Sequence, residues 1–168
     1  RAEKSREKKA ALGSDLNLEE FSRRGGQWDY DPQFRLFAPE EREHLLKAGI
    51  ELTDVDHAGT YLQADSAIMH CQANQPGLEV MPITEAMDRH PWVADHLWRL
   101  VQVDADKYTA TTELELDNGY FIRALPGAQV EEPVESCLYI RTDRLAQHVH
   151  NLVVVEEGAR LHIITGCT

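Results

Sequence analysis

The sequence has few aromatic residues and few positively charged ones. Each shortage restricts the classes of protein to which the chain can belong. Aromatic residues make up only 7% of the 168 residues, but hydrophobic residues together make up 42%, so the chain can bury a core and is not predicted to be disordered. Lys and Arg number 17 against 29 Asp and Glu, which gives a net charge of −12. Nucleic acid is therefore not expected as a partner, because its phosphates would be repelled.

Long apolar runs and paired cysteines are also missing. No apolar stretch approaches the roughly 20 residues that a membrane-spanning helix needs, so no membrane association is expected. The charged stretch Arg1–Lys9 lacks the apolar segment of a signal peptide. The three cysteines, Cys71, Cys137 and Cys167, are an odd number and lie far apart, so a disulfide framework is not expected. A reducing cytoplasm is the predicted location.

The first hundred residues predict mainly helices and loops. Pro39 favours a helix over residues 40–48, which Gly49 ends. After Pro91, apolar residues recur at helical spacing and predict a second helix with one buried face. A mixed pattern at residues 61–71 indicates a possible strand. We therefore predict a helical N-terminal region at residues 1–104.

The period changes to two from Tyr108 onward. Apolar and polar residues alternate from Tyr108 to Leu116, which predicts a strand, and Asp117-Asn118-Gly119 is typical of a tight turn. Further strands are predicted at about 134–141, 148–156 and 160–166. Residues 105–168 are thus predicted to form a β-strand region with no helix longer than one turn.

A short internal repeat accompanies these strands. Gly127-Ala128-Gln129-Val130 recurs as Gly158-Ala159-Arg160-Leu161. A glycine turn before an apolar strand that recurs after roughly 20–50 residues suggests a coiled solenoid such as a β-helix. A sandwich rich in hairpins gives the same pattern equally well, and the repeat alone does not decide between them.

Several side chains near the C-terminal end could carry chemistry. His148 and His150 share one face of the predicted strand, His162 lies on the next strand, and Cys167 lies at its end. Histidine and cysteine are ligands of zinc and iron, although no Cys-x-x-Cys pair is present and the metal stays unknown. The alternative interpretation is a pair of half-exposed histidines without a metal.

A second alternative is a metal-dependent enzyme. His148, His150 and Glu156 are similar to the metal motif of cupins, which are small β-barrel metalloenzymes. The gap to Glu156 is longer than in that motif, its leading glycine is missing, and His162 comes too early for the remaining ligand.

The two cysteines of this region are predicted to differ. Cys137 lies inside a predicted strand, where a thiol usually packs as a small hydrophobic group. Cys167 follows a glycine at a strand end and is expected to be more accessible, as a thiol that handles sulfur must be.

The C-terminal stretch also resembles a known family. "YIRTDRLAQHVHNLVVVEEGARLHIITGCT", residues 139–168, resembles the SufB/SufD family of iron–sulfur cluster assembly scaffolds. The family pattern is a strand ending in Glu-Glu-Gly-Ala, then an apolar strand, then Gly-Cys-Thr. Residues 61–71, 80–93 and 106–140 are similar to the short members from archaea and anaerobes. The resemblance covers most of the chain, but family members are longer.

This resemblance implies a fold, partners and a role for one thiol. It implies an α+β chain with a helical N-terminal region followed by the first turns of a right-handed parallel β-helix. It implies a scaffold, rather than an enzyme, that works with a separate SufC-like ABC-type ATPase. A cysteine desulfurase or another donor would supply sulfur, and clusters would pass to apo iron–sulfur proteins.

Within that family pattern, Cys167 would lie on the sulfur path, with His148, His150 and His162 as possible supporting residues. The iron–sulfur cluster would belong to the full-length complex, and this part alone is expected to bind none. A homo-oligomer is expected.

Overall fold

The computed structural model describes residues 1–168 and contains seven strands, four short α-helices and two 3₁₀ turns. The helices are α1 (Ala2–Ser5), α2 (Pro39–Lys47), α3 (Ile83–Arg89) and α4 (Lys107–Leu114), and the 3₁₀ turns cover Leu18–Glu20 and Pro91–Asp95. The strands are β1 (Gly59–Ala64), β2 (Ala67–Ala73), β3 (Leu78–Pro82), β4 (Tyr120–Ala124), β5 (Val134–Tyr139), β6 (Leu152–Val155) and β7 (Ile163–Cys167). None of the helices has both the length and the apolar character needed to cross a membrane.

The strands form two mixed sheets that pack face to face. The larger sheet has the order β2-β1-β5-β7 and the smaller one has the order β3-β4-β6. In each sheet the first pair, β1–β2 or β3–β4, is antiparallel and the remaining pairs are parallel. The apolar layer between the sheets contains Tyr61, Val134 and Leu138 from the larger sheet and Val80 and Ile122 from the smaller one.

Two further apolar layers cover the outer faces of the sheets. Residues from the N-terminal part, including Phe34, Leu45 and Ile50, pack on the outer face of the larger sheet. Ile83 of α3 and Val93 of the second 3₁₀ turn pack on the outer face of the smaller sheet. Because apolar side chains cover both faces of both sheets, the strands carry near-continuous buried runs rather than a simple alternation.

The predicted fold class is wrong. Residues 1–104 are not a helical region, because they contain three strands and no helix longer than the nine residues of α2. The chain forms no β-helix or solenoid, because its strands belong to two mixed sheets that each include an antiparallel pair. The repeated glycine segments do lie side by side, with Arg160 N donating to Ala128 O at 2.8 Å, and β4 pairs in parallel with β6 at the same offset, with Ile122 opposite Val153. The repeat therefore identified two segments that pair with each other, but the β-helix that it suggested does not form.

Several local predictions are confirmed and others fail. The helix after Pro39 and the strands near 134–141, 148–156 and 160–166 are present, although each strand is shorter than predicted. The possible strand at 61–71 is two antiparallel strands joined by a turn. After Pro91 only a 3₁₀ turn forms. The division of the chain at residue 104 stays a prediction, and β1 pairs with β5 across it.

The strand predicted at Tyr108–Leu116 is wrong because α4 occupies Lys107–Leu114. Asp106 caps this helix, with its side chain accepting from Thr109 N at 2.9 Å. The same carboxylate accepts from Ala11 N at 3.0 Å, so a contact distant in sequence helps to fix the cap. α4 is eight residues long, so the prediction of no helix longer than one turn also fails.

Asp65 connects three separate parts of the chain at the turn between β1 and β2. Its fully buried carboxylate accepts from the backbone N–H groups of Gly26, Arg141 and Thr142, from the Thr142 hydroxyl at 2.6 Å, and from Trp28 Nε1. Burial acts to raise the pKa of Asp65, but the hydrogen bonds from Thr142, Gly26 and Arg141 outweigh it and keep the pKa below its usual value. The ionised form is therefore the one that the fold requires.

We expect Asp65→Asn to lower the free energy of unfolding by about 3 kcal/mol, because an amide presents one acceptor and two donors to a site lined by donors. Urea-induced unfolding measures the change. Asp143→Asn is the matched control, since Asp143 is exposed and close in sequence to Thr142, and its effect should stay within about 0.5 kcal/mol. Equal effects of the two substitutions would contradict this assignment.

Acid should weaken the protein through the same carboxylate. The folded pKa of Asp65 is lowered, so its contribution to stability is present above the unfolded pKa of about 3.9 and is lost as the pH falls through the folded value. We expect the free energy of unfolding to fall below about pH 4, with a smaller fall in Asp65→Asn. Denaturation curves between pH 2.5 and pH 7, values chosen to bracket about 3.9, measure both slopes. Identical slopes would rule out a linkage through Asp65.

Candidate functional site

Cys167 lies at the end of β7, the edge strand of the larger sheet. β7 runs parallel to β5, and the register places Cys167 opposite Leu138. Thr168 N donates to Leu138 O at 3.2 Å and Ile140 N donates to Thr168 O at 2.8 Å, so pairing continues past the thiol. Because side chains alternate along a strand, Cys167 shares a face with Ile163, which packs against the layer between the sheets.

The N-terminal part of the chain holds the other face of β7. Gly166 lies opposite Cys137, and a Cβ atom on Gly166 would be 2.8 Å from Ile50 Cδ1, so only glycine fits there without displacing Ile50. His44 Nε2 lies 3.0 Å from Thr168 Oγ1. The sequence analysis missed both contacts, because more than 100 residues separate their partners and no local pattern reports them.

The three thiols differ in exposure. Cys167 is exposed, Cys71 is half-buried and Cys137 is buried. Burial raises the pKa of Cys137 to about 12, with Glu135 adding to the shift, and burial with Glu85 raises the pKa of Cys71 to about 12. Both thiols stay protonated near neutral pH and are poor nucleophiles. Among the three cysteines, Cys167 is therefore the thiol most accessible from solvent.

The three predicted supporting histidines do not share one site. His148 and His150 flank an isolated bridge between Asn118 and Val149, outside any strand. The His150 ring packs edge-on against Trp98, with ring centroids 4.5 Å apart. His162 is exposed just before β7, and its carbonyl accepts from Val134 N at 2.8 Å.

Two of these imidazoles favour the neutral form. Burial lowers the pKa of His148, against the opposing effects of Asp117 and Glu115. Burial also lowers the pKa of His150, against the opposing effect of Glu113. Both rings are therefore mostly uncharged at neutral pH and do not supply positive charge to a thiolate.

The structure does not assemble the metal motif considered for a cupin-like enzyme. Nowhere do three or more His, Cys, Asp or Glu side chains come together in a group that could bind a metal ion. Glu156 Oε1 instead accepts from Arg123, at 3.0 Å from Nε and 2.8 Å from Nη2. His148, His150 and Glu156 thus form no shared site, and no observation favours that enzyme.

Comparison with known proteins gives relatives of one kind. No family model matches the chain. The chain is 39% identical, over 99% of its length, to an iron–sulfur cluster assembly SufBD family protein of Methanothermobacter thermautotrophicus, and it covers 42% of that protein. It is 45% identical, over 76% of its length, to a SufBD family protein of Archaeoglobus fulgidus, of which it covers 34%. It is also 27% identical, over 44% of its length, to the iron–sulfur cluster assembly protein SufB of Bacillus subtilis.

The chain spans less than half the length of these curated relatives. Within that span the similarity covers nearly all of the chain. On this similarity, the chain belongs to the SufBD family of iron–sulfur cluster assembly proteins and is similar to its archaeal members.

Proposed function

We propose that this chain is part of a scaffold in a SUF-type complex, which receives sulfur and iron and passes iron–sulfur clusters to apo-proteins. The observation that carries this proposal is the similarity to SufBD family assembly proteins over 99% of the chain. The exposed thiol at the end of β7 supports it, since a protein that receives sulfur needs an accessible cysteine. Iron and sulfide are the cargo of such a protein, and the cluster is its product.

The proposed chemical role of Cys167 is to accept sulfane sulfur. The Cys167 thiolate attacks the terminal sulfur of a donor persulfide, R–S–SH. A new S–S bond forms at Cys167, the S–S bond of the donor breaks, and the donor leaves as the thiolate R–S⁻. Charge and electrons balance, so the transfer itself needs no further oxidant or reductant. Cys71 and Cys137 are less suited, because burial keeps both protonated.

The histidines have a smaller place in this proposal. His162 is exposed and immediately precedes β7, and its proposed part is to support the binding of cargo iron in the full-length protein. His148 and His150 are neutral at physiological pH and so retain lone pairs for iron, but they lie away from β7. We therefore assign them a supporting role at most.

The proposed partners follow from the family. They are a SufC-like ABC-type ATPase, a cysteine desulfurase or another sulfur donor, and apo iron–sulfur proteins, all in the cytoplasm. In this proposal the ATPase performs the nucleotide chemistry and this chain is not itself an enzyme. The net charge of −12 supports protein partners rather than nucleic acid.

We also propose self-association through the open edges of the sheets. β6 and β7 are edge strands, and Val153, Val155 and Ile164 on them are exposed. Unpaired backbone groups beside exposed apolar residues favour pairing with another strand. We expect Val155→Lys to reduce association of the full-length protein in sedimentation equilibrium. If Val155→Lys leaves the mass of the assembly unchanged, β6 is not part of the proposed interface.

The sulfur role is tested by comparing two cysteine substitutions in the full-length protein. We expect Cys167→Ser to lower cluster formation at least about tenfold in a reconstitution driven by a cysteine desulfurase, because a hydroxyl is a far weaker nucleophile for sulfur. Cys137→Ser is the matched control on the neighbouring strand. It should lower the melting temperature, since it places a hydroxyl in an apolar layer, while its folded fraction assembles clusters normally.

Two measurements separate these outcomes: cluster absorbance and a thermal melt for each variant. Persulfide on the Cys167 peptide, detected by mass spectrometry after exposure to the donor, gives a direct second readout. If Cys167→Ser melts early and assembles clusters normally, then Cys167 is a packing residue and the sulfur assignment is wrong.

A further inference from the structure

The apolar residues of β7 do not determine which face of the strand points inward. Ile163 packs against the layer between the sheets, whereas its neighbour Ile164 is exposed on the opposite face. A shift of the pairing by one residue moves every side chain of a strand to the other face. In β7 such a shift would exchange one isoleucine for the other, so the apolar layer would lose little.

The backbone pairing of β7 does not fix its register either. β7 is an edge strand, so its N–H and C=O groups pair with β5 alone. The hydrogen bonds of a parallel ladder are evenly spaced and involve only the main chain, so a ladder shifted by one residue forms similar bonds. The face on which Cys167 lies must therefore be determined by a specific side-chain contact.

Gly166 distinguishes the observed register from the shifted ones. It lies opposite Cys137 on the outer face, where a Cβ atom would be 2.8 Å from both Cδ1 and Cγ1 of Ile50. This separation is well inside the roughly 3.5–4.0 Å at which carbon atoms attract each other. A shift by one residue would place Thr165 or Cys167 at this position, and β7 contains no other glycine. Only the observed register therefore fits beneath Ile50.

The C-terminal end of α2 holds Ile50 in place. Gly49 follows the helix with φ +82°, and the N–H groups of Gly49 and Ile50 donate to Leu46 O at 3.0 Å and to Leu45 O at 2.9 Å. This is a Schellman cap, in which the residue after the glycine packs back against the helix. Leu45 and Ile50 belong to the same apolar layer, and Ile50 is only 4% exposed. Ile50 therefore has little room to move away from a side chain at position 166.

The position of Gly166 decides the surroundings of the next residue, Cys167. In the observed register Cys167 lies opposite Leu138, on the face away from Ile50, and is exposed. A shift by one residue would turn its thiol toward the outer face. Cys137 on that face is buried, and burial raises the pKa of its thiol to about 12. A thiol turned to the outer face would thus lose both its access to solvent and its reactive form.

We propose that Ile50 is a positioning residue for Cys167: it selects the register of β7 that places Gly166 beneath it, and so keeps the thiol on the opposite face. The sulfur-accepting role of this thiol rests on the function proposed above, whereas the selection of the register does not. A residue at the end of α2 thus determines, through a glycine, the direction of a side chain that is distant in the sequence.

Disulfide trapping measures the register in the full-length protein carrying Leu138→Cys. In the observed register, position 138 lies opposite Cys167, and opposite Cα atoms of neighbouring strands are about 4.8 Å apart, within the range that a disulfide spans. Diamide oxidises the two thiols and takes up their hydrogens. Tandem mass spectrometry gives the initial rate of this cross-link and distinguishes it from a bond to Cys137, which only a shifted register would form.

A double-mutant cycle on this parent protein tests the contact between Ile50 and Gly166. We expect Gly166→Ala to lower the rate of the cross-link about tenfold, because the added methyl group overfills a packed site. Strand propensity acts in the opposite direction, since alanine is favoured over glycine within a strand. In the Ile50→Ala background, where the space is vacant, the same glycine substitution should change the rate by less than about twofold.

Two single substitutions serve as matched controls. His44→Ala removes the other contact of α2 with this end of the chain, in which His44 Nε2 lies 3.0 Å from Thr168 Oγ1. Thr165→Ala changes an exposed residue of β7 that precedes the glycine. Both should keep the rate of the cross-link within about twofold of the parent, as expected for exposed positions. A tenfold loss in His44→Ala would assign the register to that contact instead and overturn the role of Ile50.

Persulfide uptake by Cys167, measured on the same variants without Leu138→Cys, relates the register to the sulfur role. We expect uptake to fall in Gly166→Ala and to recover when Ile50→Ala is added. An unchanged cross-link in Gly166→Ala, or an equal loss in both backgrounds, would overturn the positioning role of Ile50. If the cross-link follows the cycle but persulfide uptake does not, the positioning role is supported and the sulfur role of Cys167 is wrong.

Discussion

The buried carboxylate of Asp65 is the constraint on which the arrangement of the chain depends. A buried charge is stable only when hydrogen bonds replace its water, and here the donors come from the N-terminal segment and from the residues after β5. The approach is close: a Cβ atom on Gly25 would lie 2.4 Å from Asp65 Cβ. The segment around residue 25, the β1–β2 turn and the residues after β5 therefore have one mutual arrangement.

With the N-terminal segment fixed in this way, residues that follow it can cover the outer face of the larger sheet. Phe34 and Ile50 pack there against Cys137 and Tyr139. The N-terminal residues pack on only one face of the edge strand β7. Gly166 on that face contacts Ile50, whereas Cys167 lies on the other face. Cys137, on the covered face of the neighbouring β5, is therefore buried and protonated, whereas Cys167, on the opposite face at the end of the edge strand, is exposed.

The candidate site is simpler than the histidine-rich pattern of the sequence suggests. Alternation placed His148 and His150 on one face of a predicted strand and His162 on the next strand, but His148 and His150 lie outside any strand, and His150 packs against Trp98. The Glu156 carboxylate forms an ion pair with Arg123. Near Cys137, two polar contacts reach Glu135, one from His57 and one from Glu51 N. Both join residues that are far apart in the sequence.

The sequence by itself determined the features that depend on neighbouring residues: the proline-initiated α2, the apolar strands β5, β6 and β7, the accessible position of Cys167 after Gly166, and the family motif. Tertiary structure decided the rest. Residues 108–116 alternate as a strand would, yet Asp106 caps them as a helix while it also binds Ala11. The mixed sheets replace the expected β-helix because β1 pairs antiparallel with β2 and parallel with the distant β5, and β3 pairs antiparallel with β4, which is also distant in sequence. Periodicity reports which face of a segment is buried, whereas the partner that buries it is set by contacts that no local pattern contains.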